Sequence, residues 1–215
     1  MKHSRLLFAL SVAACCSLWL GCGSVLAPLP DNTRYYVLTS GEGPAPATPA
    51  PSASSPLVVG LGPISLPGYL DRQQIATRVN PNRLDYSDDD LWAQPLSSNF
   101  TQVLGQNLAS LVRASQIVDY PWYSTQPMDY AVQVRAAHFE CAKDGDCQLD
   151  ATWSIVEPRS GKVLRRQHND LVAPAGDGDP SAKVAALSRV LFQMSQQIAQ
   201  ALRQLALTRV AAAGS

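Results

Sequence analysis

The chain is short of the residues that enzymes rely on. It has three histidines in 215 residues, and His3 lies in the N-terminal leader, which leaves His138 and His168. Both fall on predicted strands, where a strand-end or surface place suits them better than a general-base role. No Gly-x-Ser-x-Gly elbow, His-Glu-x-x-His pair or phosphate-cradling glycine loop is present, and Gly60-Leu61-Gly62 runs into Pro63 instead of a helix. The familiar hydrolase, zinc-protease and nucleotide-binding signatures are thereby excluded, and no catalytic residue, metal site or cofactor is expected. Excess charge is missing as well. There are 17 basic and 17 acidic residues, and removing Lys2 and Arg5 with the leader leaves 15 against 17, so charge selects neither nucleic acid nor an anionic membrane. The run Asp88-Asp89-Asp90 is too contiguous for its carboxylates to share a face around calcium; it is expected to charge the start of a short helix holding Leu91 and Trp92.

Cysteine is scarce and informative. Lys2, His3 and Arg5 followed by the apolar run Leu6–Leu20 make residues 1–21 a secretory signal. It ends in Leu18-Trp19-Leu20-Gly21-Cys22, which resembles a bacterial lipobox apart from Trp19, so Cys22 is the expected lipid-attachment residue. Val12-Ala13-Ala14-Cys15 competes, matching the box better residue by residue but leaving an apolar core of about six residues where roughly 7 to 15 are usual. Gly23 and Ser24 bring no Asp after Cys22, which points to the outer membrane under the sorting rule for such lipoproteins. The remaining pair, Cys141 and Cys147, flanks a hairpin turn in an oxidising compartment and is expected to form a disulfide.

Residues 22–33 read as a tether, and residues 34–210 as a single domain interrupted by a Pro/Ala/Ser-rich loop at 41–56; residues 211–215 read as a disordered tail. Arg34–Leu38, Leu57–Leu61, Gln74–Val79 and Asn82–Tyr86 are short extended pieces. Between the second and third, Leu66-Pro67-Gly68-Tyr69 fits a type II turn with positive φ at Gly68. A helix capped by Ser97 or Ser98 follows, its buried face carrying Phe100, Val103, Leu104, Leu108, Leu111 and Val112. Ile117–Tyr123 is then an extended piece ending in an aromatic loop. Period-two alternation marks Asp129–Phe139 and Gln148–Val156 as strands of a meander, and Lys162–Asp170 as a polar third strand at an edge or with one solvated face. After Asp179-Pro180 comes the longest element, a helix whose stripe Val184, Leu187, Leu191, Met194, Ile198, Ala201 and Leu205 is expected to pack on the sheet. The fold class is α/β of an α+β-like kind: a two-layer domain with a mixed β-sheet, an antiparallel meander and two main helices against it.

Three segments, Arg34-Tyr35-Tyr36-Val37-Leu38, the run from Val59 to Arg72, and Leu91-Trp92-Ala93-Gln94-Pro95-Leu96, resemble the ABC-type transport auxiliary lipoprotein family. The resemblance implies a non-enzymatic outer-membrane lipoprotein facing the periplasm. Its partners would be an MCE-domain protein and the inner-membrane permease and ATPase behind it, in a system that moves lipids between membranes. Because MCE assemblies are rings, a homo-oligomeric ring is a further expectation. Tyr69, Leu70, Trp92, Tyr120 and Trp122 are the candidate partner contacts, since aromatic and apolar side chains on turns make good interface anchors; the alternative for each, and the stronger one for Tyr69, Leu70 and Trp92, is ordinary core closure over the sheet edge. The competing expectation is a periplasmic carrier holding an acyl chain between the last helix and the sheet.

Overall fold

A computed structural model describes residues 31–41, 56–123, 125–176 and 179–213. Cys15, Cys22, the signal at 1–21, most of the tether and nearly all of the 41–56 loop lie outside the described residues. From Thr33 onward the chain forms one compact unit. Its strands are β1 (Arg34–Tyr36), β2 (Val58–Ser65), β3 (Gln74–Asn80), β4 (Arg83–Trp92), β5 (Gln116–Asp119), β6 (Tyr130–Ala142), β7 (Asp146–Val156) and β8 (Val163–Pro174). Among the described residues the α-helices are α1 (Leu96–Val112) and α2 (Pro180–Ala213).

The alternation in the second half of the chain sets the organising hairpin. On β6 and β7 the residues Val132, Val134, Phe139, Leu149, Ala151, Trp153 and Ile155 are all buried, while Gln133, Arg135 and Thr152 on the opposite face are partly or fully exposed. One face is therefore covered by the helices and the other is open, a two-layer arrangement. β7 follows one side of β6 from Ala131 to Cys141, and β8 continues the antiparallel meander as its edge. The other side of β6 is shared. Its first half pairs in parallel with β2, which carries β5 outside it, and its last residues, Cys141 and Ala142, pair with Thr77 and Arg78 of β3. β3 in turn carries β4 and β1, so the sheet forks along β6.

Both helices use the faces their spacing predicts. Phe100, Val103, Leu104 and Leu108 of α1 are buried, and the Phe100 ring meets Phe139 edge-on at 5.1 Å. On α2, Leu187, Leu191, Met194 and Ile198 fill the space over Trp153, all at 2% exposure or less. Several local expectations change. α1 begins at Leu96 after Pro95, with no side-chain cap from Ser97 or Ser98; the nearly buried Leu96 anchors the first turn instead. Asp88, Asp89 and Asp90 lie on β4, not at a helix start. There Ser87 and Asp90 bond each other across an irregularity in the β3–β4 pairing, so the run bends a strand. α2 extends through Ala213, three residues into the supposed tail.

After β1 the chain crosses both helices as a strap. The Leu38 N–H bonds Asn99 Oδ1 at 2.6 Å, the Thr39 N–H bonds Ser188 Oγ at 3.1 Å, and the Gly41 N–H bonds Asn107 Oδ1 at 3.1 Å. Asn107 also donates to Ser195 Oγ at 3.1 Å. These buried polar side chains supply partners to backbone groups that no strand serves.

Candidate functional site

At the fork, the turn between β2 and β3 is built as a 3₁₀ turn over Gly68–Leu70, with the Leu70 N–H on Pro67 O at 2.9 Å and the Asp71 N–H on Gly68 O at 3.1 Å. Gly68 does not have positive φ, so the type II expectation is corrected: the turn is one position later, and Pro67 precedes it. Leu70 is 5% exposed and belongs to the core. Tyr69 points the other way, into a polar cluster.

Glu140 is the centre of that cluster, its side chain 4% exposed. Arg78 Nε reaches one carboxylate oxygen at 2.6 Å and His138 Nδ1 lies 3.1 Å from the same atom. The other oxygen accepts the Phe139 N–H at 2.8 Å and the Tyr69 hydroxyl at 3.0 Å, while Arg78 Nη2 donates to the Tyr69 oxygen at 3.3 Å. Burial by itself would raise the Glu140 carboxyl, but bonds from Arg78, the Phe139 N–H, His138 and Tyr69 outweigh it and hold the group below the usual carboxylate range. Burial and then the neighbouring Glu140 charge push the Tyr69 hydroxyl up to about 12. Both Glu140 oxygens are engaged inside the cluster, and Arg78 Nη1 and the Tyr69 hydroxyl also reach the carbonyl oxygens of Pro81 and Ala137, so its chemistry is that of a clamp across β3 and β6. Among the described residues no three His, Cys, Asp or Glu side chains converge as metal ligands.

The three sequence segments singled out above meet at this end of the sheet. The Trp92 N–H bonds Gln73 O at 2.6 Å, closing Leu91–Leu96 against the turn, and the Ala93 N–H bonds Tyr36 O at 2.9 Å, tying in the first strand. Tyr86 donates its hydroxyl to Tyr69 O at 3.2 Å beneath the Arg72 guanidinium, which sits 4.8 Å from the Tyr86 ring centre. Asp90 gathers Arg34 at 2.9 Å and Tyr36 at 3.1 Å. Trp92, at 4% exposure, is core. Tyr69, Leu70 and Trp92 are thus occupied by intramolecular contacts, and Leu70 and Trp92 have no surface left to offer a partner.

The other expected contacts differ. Tyr120 is 56% and Tyr123 83% exposed, and the Tyr120 and Trp122 rings meet edge-on at 5.3 Å. Trp122 is half-buried because it lies, with Met128, over Gly60 of β2: a Cβ there would come within 2.7 Å of the Met128 sulfur and 3.3 Å of the Trp122 ring. A glycine in the strand therefore seats the loop on the open face of the sheet. Beside the loop runs a groove of ≈ 710 Å³ bordered by Trp122, Tyr123, Leu164 and Leu205, with Arg209 and Asp129 paired at 2.7 Å on its wall. Cys141 and Cys147 stand opposite each other on β6 and β7, joined as a buried disulfide.

No curated protein matches the chain. Solved structures share its fold, and two of them serve as examples. One is a crystal structure of a Xanthomonas campestris protein, 16% identical, with a TM-score of 0.66, covering 85% of this chain and 100% of that one. The other, of a protein described as uncharacterized, is 18% identical with a TM-score of 0.62, covering 79% and 98%. The model of the ABC-type transport auxiliary lipoprotein component matches residues 36–199, a span that holds the strap, the Glu140 clamp and the aromatic loop, and the chain belongs to that family.

Proposed function

We propose that the protein is a non-catalytic docking subunit of an ABC-type transport system. A lipid on Cys22 holds it to the periplasmic face of the outer membrane, and its domain receives an MCE-domain protein backed by an inner-membrane permease and ATPase. Family membership supports the auxiliary role. The observation that carries docking is the aromatic loop, where Tyr120 and Tyr123 remain exposed while the ring beneath them, Trp122, is fixed against the sheet. Aromatic anchors on a rigid support give binding energy at small entropic cost.

The carrier alternative has no observation in its favour. The α2–sheet interface is filled by Trp153, Leu149, Leu187, Leu191, Met194 and Ile198, and an acyl chain could enter only by displacing them. Affinity capture with the full chain from detergent-solubilised membranes tests the docking reading. The wild type is expected to recover an MCE-domain protein, and Tyr120→Ser/Tyr123→Ser to recover it at least roughly tenfold less. Recovery of no such protein, or equal recovery by the variant, overturns the proposal.

A further inference from the structure

The sheet has several free edges, and their treatment is unequal. β1 has three residues and β5 four, and β4 is bent at Ser87–Asp90. Short and irregular edges are common ways for a sheet to avoid pairing with another chain. β8 is different. It has 12 residues, its only proline is the last, and from Arg165 to Pro174 it runs in unbroken register with β7. Among the described residues it pairs with β7 alone. Its outer side is thus a strip of backbone donors and acceptors roughly 30 Å long or more.

The residues along that strip are self-complementary. Val156, Ser154, Thr152, Asp150 and Gln148 are alternate residues of β7, and their partners on β8 are Val163, Arg166, His168, Asp170 and Val172. Those five therefore share the open face; a one-residue shift at Leu164 brings Val163 into line with the others. Val163 is 43% and Val172 53% exposed, so both are exposed apolar side chains among the described residues. Read from His168 outward, the face runs His168, then Arg166 on one side and Asp170 on the other, then Val163 and Val172.

We propose that two copies of the chain pair through the outer edges of β8, antiparallel, about a two-fold axis at His168. Such an axis keeps the open face of one copy continuous with that of the other. Arg166 then faces the partner's Asp170, and Asp170 the partner's Arg166, while Val163 covers the partner's Val172 in both halves. On the helix side Gln167 faces the partner's Asn169. Centring the pairing on Arg166 or on Asp170 would set like charges opposite each other, which destabilises a strand pair. The charge pattern therefore favours this register over those two. The contact is isologous and closes at two copies. It is independent of the docking role proposed for the aromatic loop.

Sedimentation of the full chain in detergent at roughly 100 µM tests it, because an edge contact of this size associates weakly. The wild type is expected to form dimers. Asp170→Arg places two cations opposite each other twice and should weaken the dimer at least roughly tenfold. Arg166→Asp/Asp170→Arg restores opposite charges and should recover it. In the same preparation His168→Cys, a change at a side chain 60% exposed, should form an intermolecular disulfide on air oxidation, since facing residues in such a pair lie about 4.5–5.5 Å apart. A monomeric wild type, an Asp170→Arg variant that dimerises as well as wild type, a charge-exchanged variant that melts normally yet stays monomeric, or a His168→Cys variant that does not crosslink each overturns the proposal.

Discussion

Replacing Glu140 by Gln removes one charge from the clamp while keeping its shape. In the folded protein the carboxylate takes four bonds, from Arg78, His138, Tyr69 and the Phe139 N–H. The amide oxygen can keep part of them, but its NH₂ group then faces donors. Arg78 is left without its counter-ion with a side chain only 22% exposed. Breaking a fully buried pair costs about 3–5 kcal/mol, and the partial access of Arg78 to water places this change near 3 kcal/mol. For a domain of this size that is a fall in Tm of about 6–12 °C. The pH dependence has a definite sign. The Glu140 carboxyl is held below its usual range in the fold, so its contribution is present above the unfolded pKa and is lost as pH falls through the folded one. Thermal unfolding followed by circular dichroism should show the full difference between wild type and Glu140→Gln at pH 7. The gap should narrow as pH falls below about 4.3. A variant melting within about 1 °C of wild type at pH 7, or a gap that stays constant into acid, refutes the reasoning.

Other expectations follow from the same contacts. Cys141→Ser/Cys147→Ser opens a link that closes about seven residues and should cost roughly 2 kcal/mol, read as a lower urea midpoint with the m-value unchanged. Asn107→Leu leaves the Gly41 N–H without its acceptor and should cost about 1–3 kcal/mol; in native-state hydrogen exchange the amides of the strap at residues 38–41 should lose protection before those of β6 and β7. Gly41→Ala sets a Cβ against the Phe192 ring and should destabilise by about 1–3 kcal/mol, with Phe192→Leu recovering part of the loss in the double variant.

The parts of the fold with a strong local period were legible in the sequence. β6 and β7 follow their alternation, both helices bury the stripe their spacing marks, and the polar third strand of the meander is an edge. Errors arose where tertiary contacts override local chemistry. Asp88–Asp90 have a helix-start composition, yet Arg34 and Tyr36, more than fifty positions away, hold Asp90 on a strand. Gly68 looks like a positive-φ glycine, but the hydroxyl of Tyr69 must reach Glu140, and a 3₁₀ turn aims it there. The clamp itself left no sequence signal, because Tyr69, Arg78, His138 and Glu140 are ordinary residues until the fork of the sheet gathers them. Gln197 lies off the apolar stripe of α2, yet its side-chain oxygen accepts from Gln167 and Asn169 at 2.6 Å each. Of the expected contact residues, those in the recognisable turn and tryptophan segments proved to hold the domain together. The aromatic loop, which has no such motif, is where surface remains.

Site-specific photo-crosslinking in cells, with the probe placed at Tyr123 and, separately, at Trp92, tests the docking account most directly. A probe at Tyr123 should trap an MCE-domain protein, and one at the buried Trp92 should trap nothing outside the chain. Capture of such a protein from Trp92 but not Tyr123, or from neither, would contradict the account.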